Sequence, residues 1–273
     1  MERIQTALNK ARKTRNGKSS DKRPDRKHIS IPAAELDLAW DELATLKPNM
    51  ANMKRNRIES YEGGHAAAHF DLMRTKVLQQ MRANNWRRLA ITSPGSSCGK
   101  TTTCVNLAFS LARQKDIRTV IAEMDLRRPA MAKLLGLSHT SCQFSRALDG
   151  REELKDHMLR YGDNLAFALN RHSANNPSEL LQSNAITDTL SQIEKQFDPN
   201  LVIFDMPPMM VTDDVLGFLD QVDCVLLVAA AESTTVDEID ACERELAEHT
   251  NLLGVVLNKC RYMEKGYGYS YYD

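Results

Sequence analysis

What this chain lacks narrows its nature first. Its longest apolar run, Cys224 to Ala231, falls far short of the roughly 18 residues that span a bilayer, and Met1 opens no apolar signal region. A cytoplasmic protein is the resulting expectation. Net charge is absent too, with 36 Lys and Arg against 36 Asp and Glu, and no nucleic-acid partner is expected. The six cysteines (Cys98, Cys104, Cys142, Cys224, Cys242, Cys260) fall at no metal-ligand spacing, so buried free thiols are expected rather than zinc or disulfides. Cys98 is the one placed for reactivity. What is present suffices for a core: 273 residues, 42% hydrophobic and 26% charged, match one domain of about 200 residues with appendages.

The charge balance is local as well as global. Residues 1–30 carry ten Lys and Arg against three Asp and Glu, so the amino end is strongly basic and the remainder acidic. Ile4, Ala7, Leu8 and Ala11 recur at helical spacing, predicting a short amphipathic helix. It reads either as a docking helix for a membrane partner or anionic surface, or as a solvated basic tail. Asn16 to Arg26 reads as a linker, and Trp40 with Leu43 as a second short helix before irregular chain up to about Gly64. This divides the chain into a basic amino-terminal region (1–64), a nucleotide-binding domain (65–260) and a tail (261–273).

Helical periodicity returns over Phe70 to Met81, and apolar runs then alternate with amphipathic helices. Strands are predicted at residues 88–92, 119–124, 165–169, 201–205, 224–229 and 253–257, with helices at 100–112, 184–196 and 236–249. Near-continuous apolar strands separated by helices imply an α/β fold, a parallel sheet with helices on both faces, of the P-loop NTPase type. Ligands of such sheets bind at the strand carboxyl ends.

Directly after the first strand runs Thr92-Ser93-Pro94-Gly95-Ser96-Ser97-Cys98-Gly99-Lys100-Thr101-Thr102. Small residues let backbone N–H groups approach phosphate oxygens, the following helix points its positive end at them, and Lys100 adds a point charge. Gly95, Ser96, Ser97, Cys98, Gly99, Lys100, Thr101 and Thr102 are therefore the candidate ATP-binding residues, with Thr101 placed to ligate Mg²⁺. The strict pattern has glycine where Pro94 stands, so the loop is a variant. Three acids end two other strands, Glu123 and Asp125 after one and Asp205 after the other. An acid ending a buried strand is costly unless a cation meets it, and Mg²⁺ brought with ATP is that cation. Asp205 reads as a Walker B ligand, direct or through water. Arg127 and Arg128 could stabilise transferred phosphoryl charge or hold a subunit contact, but as solvated surface arginines they need no function.

From Phe70 to its end the chain resembles the bacterial protein-tyrosine kinases of polysaccharide export, the BY-kinases. The resemblance rests on the variant phosphate loop Ser93 to Thr101, Asp125-Leu-Arg-Arg-Pro129, Asp205-Met-Pro-Pro208 with Thr212-Asp213, and Asn176-Pro-Ser-Glu-Leu-Leu181. It also rests on a tail in which five of seven tyrosines, Tyr262, Tyr267, Tyr269, Tyr271 and Tyr272, fall in the last twelve residues. It implies an ATP- and Mg²⁺-dependent autokinase that phosphorylates this cluster on neighbouring subunits. It also implies a homo-oligomer working with a membrane-spanning polysaccharide co-polymerase, peripheral at the inner face of the membrane. Lys100, Thr101 and Asp205 then bind nucleotide and metal, while Asp125, with Glu123 behind it, orients or deprotonates the incoming tyrosine. A free tyrosine has a pKa of about 10, so a base or metal has to help.

Two departures stand out. Glu123 replaces the usual Asp and is expected to keep a metal-ligand role with altered geometry, and the oligomerisation motif Glu-x-x-Arg-x-x-Arg survives only as Arg74, with Ala68 and Asp71 at its other positions. A partition-type ATPase without kinase activity and a nucleotide-sensing regulatory subunit are the alternative readings.

Overall fold

A computed structural model describes residues 32–137 and 140–261. The amphipathic stretch at residues 4–11 and the five tail tyrosines lie outside the described residues. Among those described, no helix is long and apolar enough to cross a membrane.

The domain begins with helix α1 (Ala33–Asp41), strand β1 (Ala44–Thr45) and helix α2 (Met50–Arg55). Helix α3 (Ala68–Ala83) leads into β2 (Arg88–Thr92), and α4 (Lys100–Ala112) into β3 (Thr119–Glu123). Two short helices follow, α5 (Met131–Leu134) and α6 (Phe144–Leu148), then strands β4 (Met158–Tyr161) and β5 (Leu165–Ala168). The rest is α7 (Pro177–Leu181), α8 (Asn184–Phe197), β6 (Leu201–Asp205), β7 (Cys224–Ala230), α9 (Val236–His249) and β8 (Asn251–Asn258).

These strands form one eight-stranded sheet in the order β1-β4-β5-β3-β6-β2-β7-β8. Every residue of β2, β3, β5, β6 and β7 is buried, as strands covered on both faces must be. Side chains alternate between two cores. Ala90, Val120, Phe204 and Leu227 join the layer containing α8, whereas Leu89, Ile91, Ile121 and Val228 join the layer containing α4. The α/β fold with helices on both faces is as expected.

Two expectations need correction. The sheet is not wholly parallel, because β4 pairs antiparallel with β5. Only Gly162, Asp163 and Asn164 join the two strands, and so short a connection makes a hairpin, Gly162 supplying the left-handed turn residue at φ 61°. Nor is the stretch up to Gly64 irregular throughout. Trp40, Leu43, Leu46, Met53 and Ile58 are buried in the two cores. The Trp40 indole donates to the Phe197 carbonyl at 2.9 Å and meets the Phe197 ring edge-on, so α1 is anchored on the end of α8. Asn49 caps α2 by accepting from the Asn52 backbone N–H.

Candidate nucleotide and phosphoryl-transfer site

The phosphate loop occupies the turn between β2 and α4. Gly99 sits at φ +90°, and a Cβ there would lie 2.2 Å from the Asn258 amide nitrogen, so only glycine fits. Asn258, the last residue of β8, donates that amide to the Cys98 carbonyl at 2.9 Å and fixes the loop from the neighbouring edge. The other side is fixed from β6: Met209 and Met210 donate backbone N–H groups to the carbonyls of Ser93 and Pro94, and the Thr92 hydroxyl donates to the Pro207 carbonyl at 2.6 Å. Ser96 and Ser97 are exposed, Gly95, Gly99, Thr101 and Thr102 are half-buried, and Lys100 is buried at the start of α4. The Cys98 thiol turns inward against the Gly95 carbonyl and the Thr234 hydroxyl. It is buried, which corrects the expectation that Cys98 is the thiol placed for reactivity.

Next to this loop the sheet delivers its carboxylates. β3 and β6 are in register with Glu123 opposite Asp205, and the chain after β3 folds back so that Met124 and Asp125 donate their N–H groups to the Asp205 carbonyl. The Lys100 ammonium donates to Asp125 Oδ2 at 2.7 Å, and both side chains are buried. Burial opposes the lysine's charge, but Asp205, Asp125 and Glu123 outweigh it and raise its pKa, so Lys100 remains a cation. Asp205 is 1% exposed, and neither carboxylate oxygen has a well-formed hydrogen bond. Burial pushes its pKa up to about 6, Lys100 and the adjacent Thr101 hydroxyl opposing and Asp125 reinforcing. A buried carboxylate with both oxygens bare, beside a lysine and a threonine at a phosphate loop, fits a hydrated divalent cation.

Glu123 is the exception. Its Oε1 accepts from the backbone N–H of Ala130 at 2.6 Å and of Met131 at 2.8 Å, and its Oε2 accepts from that of Asn170 at 2.8 Å. Burial raises its pKa to about 7 even against these donors. The metal-ligand and catalytic roles expected of Glu123 are therefore corrected. The extra methylene lets the carboxylate reach the start of α5 and the end of β5, where it braces the wall of the site.

Arg127, one of whose readings was a surface residue, is held by two hydrogen bonds to Asp214, 2.7 Å from Nε and 3.1 Å from Nη2, and by Nη2 to the Ser178 hydroxyl at 2.7 Å. Ser178 in turn donates to Asp214 at 2.5 Å. Burial alone would raise the Asp214 pKa, but Arg127 and Ser178 hold it below the ordinary value. This cluster ties together three of the motifs noted above, and Asp214 was not among the residues singled out from sequence. The surviving Arg74 is used within the chain, donating to Asp71 and to the Ser110 carbonyl at 2.8 Å.

Comparison with known proteins now bears on this geometry. A model of the CobQ/CobB/MinD/ParA nucleotide binding domain matches residues 89–266. The chain belongs to this family. Within it the chain is similar to the tyrosine-protein kinase CpsD of Streptococcus pneumoniae serotype 4, at 27% identity over 74% of this chain and 88% of that one. It is also similar to the tyrosine-protein kinase ptk of Acinetobacter johnsonii, at 30% identity over 77% of this chain and 27% of that one, so it spans about a quarter of ptk's length. The kinase domain of the Escherichia coli tyrosine kinase ETK superposes with a TM-score of 0.64 at 27% identity, over 92% of this chain and 89% of that one. The kinship with bacterial tyrosine kinases expected from the motifs is borne out.

Proposed function

We propose that this protein is an ATP-dependent protein-tyrosine autokinase whose acceptors are Tyr262, Tyr267, Tyr269, Tyr271 and Tyr272 of its own carboxyl end. In this reading it acts as a homo-oligomer at the inner face of the cell membrane, held there by a membrane-spanning polysaccharide co-polymerase, and its phosphorylation regulates capsule or exopolysaccharide polymerisation. The observation that carries the reading is the Lys100–Asp125 pair set beside the bare oxygens of Asp205 at the mouth of the phosphate loop.

The loop residues Gly95 to Thr102 hold the phosphates of ATP through their backbone N–H groups. Lys100 leaves Asp125 for the β and γ phosphates. Asp125, released from that pair and still accepting from the Arg128 backbone N–H, takes the proton of an incoming tyrosine hydroxyl. The phenolic oxygen then bonds to the γ phosphorus as the bond to the bridging oxygen breaks, and ADP departs with that electron pair. Asp205 and the Thr101 hydroxyl would hold Mg²⁺, which when bound would supply charge neutralisation at the β and γ phosphates. Because Arg74 is committed within its own chain, contacts between copies use other residues.

Anti-phosphotyrosine analysis of the protein isolated from its own cells, parent beside Lys100→Ala, tests this. Phosphotyrosine in the tail of the parent and none in the variant is the expected result. Free phosphate without phosphotyrosine returns the reading to a partition-type ATPase, and ATP binding without turnover in the partner's presence returns it to a regulatory subunit.

A further inference from the structure

A cleft of about 750 Å³ opens beside the phosphoryl-transfer site, at the carboxyl end of β5. Arg146, Arg151, Arg171 and His172 are among the residues that line it. Its frame is built from buried polar groups. The Gln143 side-chain carbonyl accepts from the backbone N–H groups of both Arg171 and His172, and the Gln143 N–H donates to buried His157. Asn170, also buried, accepts from the Ser145 N–H at 2.9 Å and donates its own N–H to Glu123. The cleft is thereby bolted to β3 through the same Glu123 that was expected to bind metal. A second tie, from the Ala174 N–H to the Leu126 carbonyl at 2.9 Å, places its wall one residue from Asp125.

The charges in the cleft are poised for exchange. Arg146 pairs with Glu152 and Arg151 with Asp149, in each case between exposed side chains, and such pairs hold weakly. Among the described residues the Arg171 guanidinium has no carboxylate partner and only a 3.4 Å contact to the Thr140 carbonyl. A phosphate dianion with three acceptor oxygens displaces a surface carboxylate from a guanidinium fork.

We propose that this cleft is a phosphotyrosine-recognition site, and that its occupant is the already phosphorylated tail (residues 262–273) of a second copy of the chain. The inference rests on the tail-kinase reading above for the source of the phosphate. Charge complementarity selects the modified tail, since unmodified residues 262–273 carry two acids against one lysine, whereas each phosphate adds roughly −1.5 to −2. Geometry selects another copy. β8 and β5 lie five strand spacings apart in the sheet, about 24 Å at about 4.8 Å each. Tyr267, nine residues beyond Asn258 at the end of β8, reaches about 30 Å fully extended, so the chain's own tail would have to run nearly straight past four strands at the phosphate-loop end of the sheet, whereas the tail of another copy approaches the cleft directly. Occupation of the cleft would hold one modified tyrosine while others in the same tail lie beside Asp125.

Two synthetic peptides of residues 262–273, one unmodified and one carrying phosphotyrosine at Tyr269, are titrated against the full chain with ADP and Mg²⁺ saturating the phosphate loop. The expected result is about tenfold tighter binding of the phosphopeptide, lost in Arg146→Glu/Arg171→Glu and partly kept in Arg171→Lys. ADP affinity and thermal melting of the double variant show that it is folded. Equal binding of the two peptides, a preference that survives the double charge reversal, or inorganic phosphate binding as tightly as the phosphopeptide would each overturn the proposal. The measurement needs no turnover, so its failure is distinct from failure of the kinase reading, which shows as an unphosphorylated tail in cells.

Discussion

Two buried carboxylates stand opposite one another at the ends of β3 and β6, and their surroundings use them in opposite ways. Glu123 accepts three backbone N–H groups, while Asp205 has two bare oxygens. Both are raised in pKa by burial, to about 7 and about 6. The contrast separates a structural acid from a binding acid where composition and position alone do not. The satisfied carboxylate holds loops in place; the bare one is the acid that the proposed function assigns to a cation.

The sharpest way to break this comparison is to neutralise each acid in turn. Asp205→Asn should lower Mg²⁺-dependent turnover by about 100-fold or more while leaving the nucleotide-free protein as stable as the parent or more so, because a buried carboxylate that no hydrogen-bond donor satisfies is removed. The sign of the pH dependence follows from the raised pKa. Folded Asp205 binds its proton more tightly than the unfolded chain does, so its contribution is fully favourable below about pH 4 and is lost as pH rises through about 6. Melting the two proteins from pH 4 to 8 without nucleotide should show the parent losing stability relative to the variant over that window. A variant less stable than the parent at pH 7 would mean that Asp205 has a structural partner.

Glu123→Gln should do the reverse. A glutamine amide offers one acceptor oxygen and turns its NH₂ toward a backbone N–H, leaving a buried donor unsatisfied at a cost of about 1–3 kcal/mol. Chemical denaturation should show that loss, with the Mg²⁺ dependence of turnover unchanged in shape. Glu123→Asp should lose stability too, since the shorter arm cannot reach both the start of α5 and Asn170. A shifted Mg²⁺ dependence in Glu123→Gln would restore the acid to the metal.

Between these poles stands Asp214, buried yet matched by an arginine. Asp214→Asn breaks the paired hydrogen bonds from Arg127 and frees the loop carrying Asp125. About a tenfold fall in kcat with little change in KM for ATP is expected, since positioning rather than nucleotide binding is lost. Steady-state kinetics at fixed Mg²⁺ check it.

The legible part of this molecule was the part written in runs. The middles of β2, β3 and β6 and the whole of β7 are apolar, and α8 repeats Ile186, Leu190, Ile193 and Phe197 on its buried face, so the local pattern places them. β4 escaped because Leu159, Arg160 and Tyr161 are only half-buried and follow a charged stretch, and only the Gly162 turn hinted at a hairpin. β1 is two residues long, paired by register with β4, a long-range fact that no local pattern carries. At the site, Lys100 stood out from the Gly-Lys-Thr pattern that follows an apolar strand and opens a helix, and Asp125 and Asp205 stood out because an acid ending a buried strand is costly unless a cation meets it. The role of Glu123 was misread because its three partners are backbone N–H groups, which every residue has. Asp214 was missed for a related reason: its partner Arg127 lies 87 positions away, and a single acid in a run of Thr212-Asp213-Asp214 gives no sign of which one is buried.

The smallest effect belongs to Arg74, and it tests whether a residue can be absorbed by its own fold. Helix α3 packs on α4, and Arg74 reaches across to the Ser110 carbonyl and hydroxyl while pairing with Asp71, which also meets Arg113. Asp71 therefore keeps a second cation when Arg74 is removed, and the Ser110 hydroxyl still donates to Asp71. Arg74→Ala should thus cost only about 1 kcal/mol, the net worth of partly exposed hydrogen bonds with a remaining partner. Because the side chain is turned inward, the variant should sediment as the parent does at equal concentration. A change in assembly state at unchanged stability would show that Arg74 exchanges its internal partners for a neighbouring copy, and that the surviving arginine of the motif still serves association.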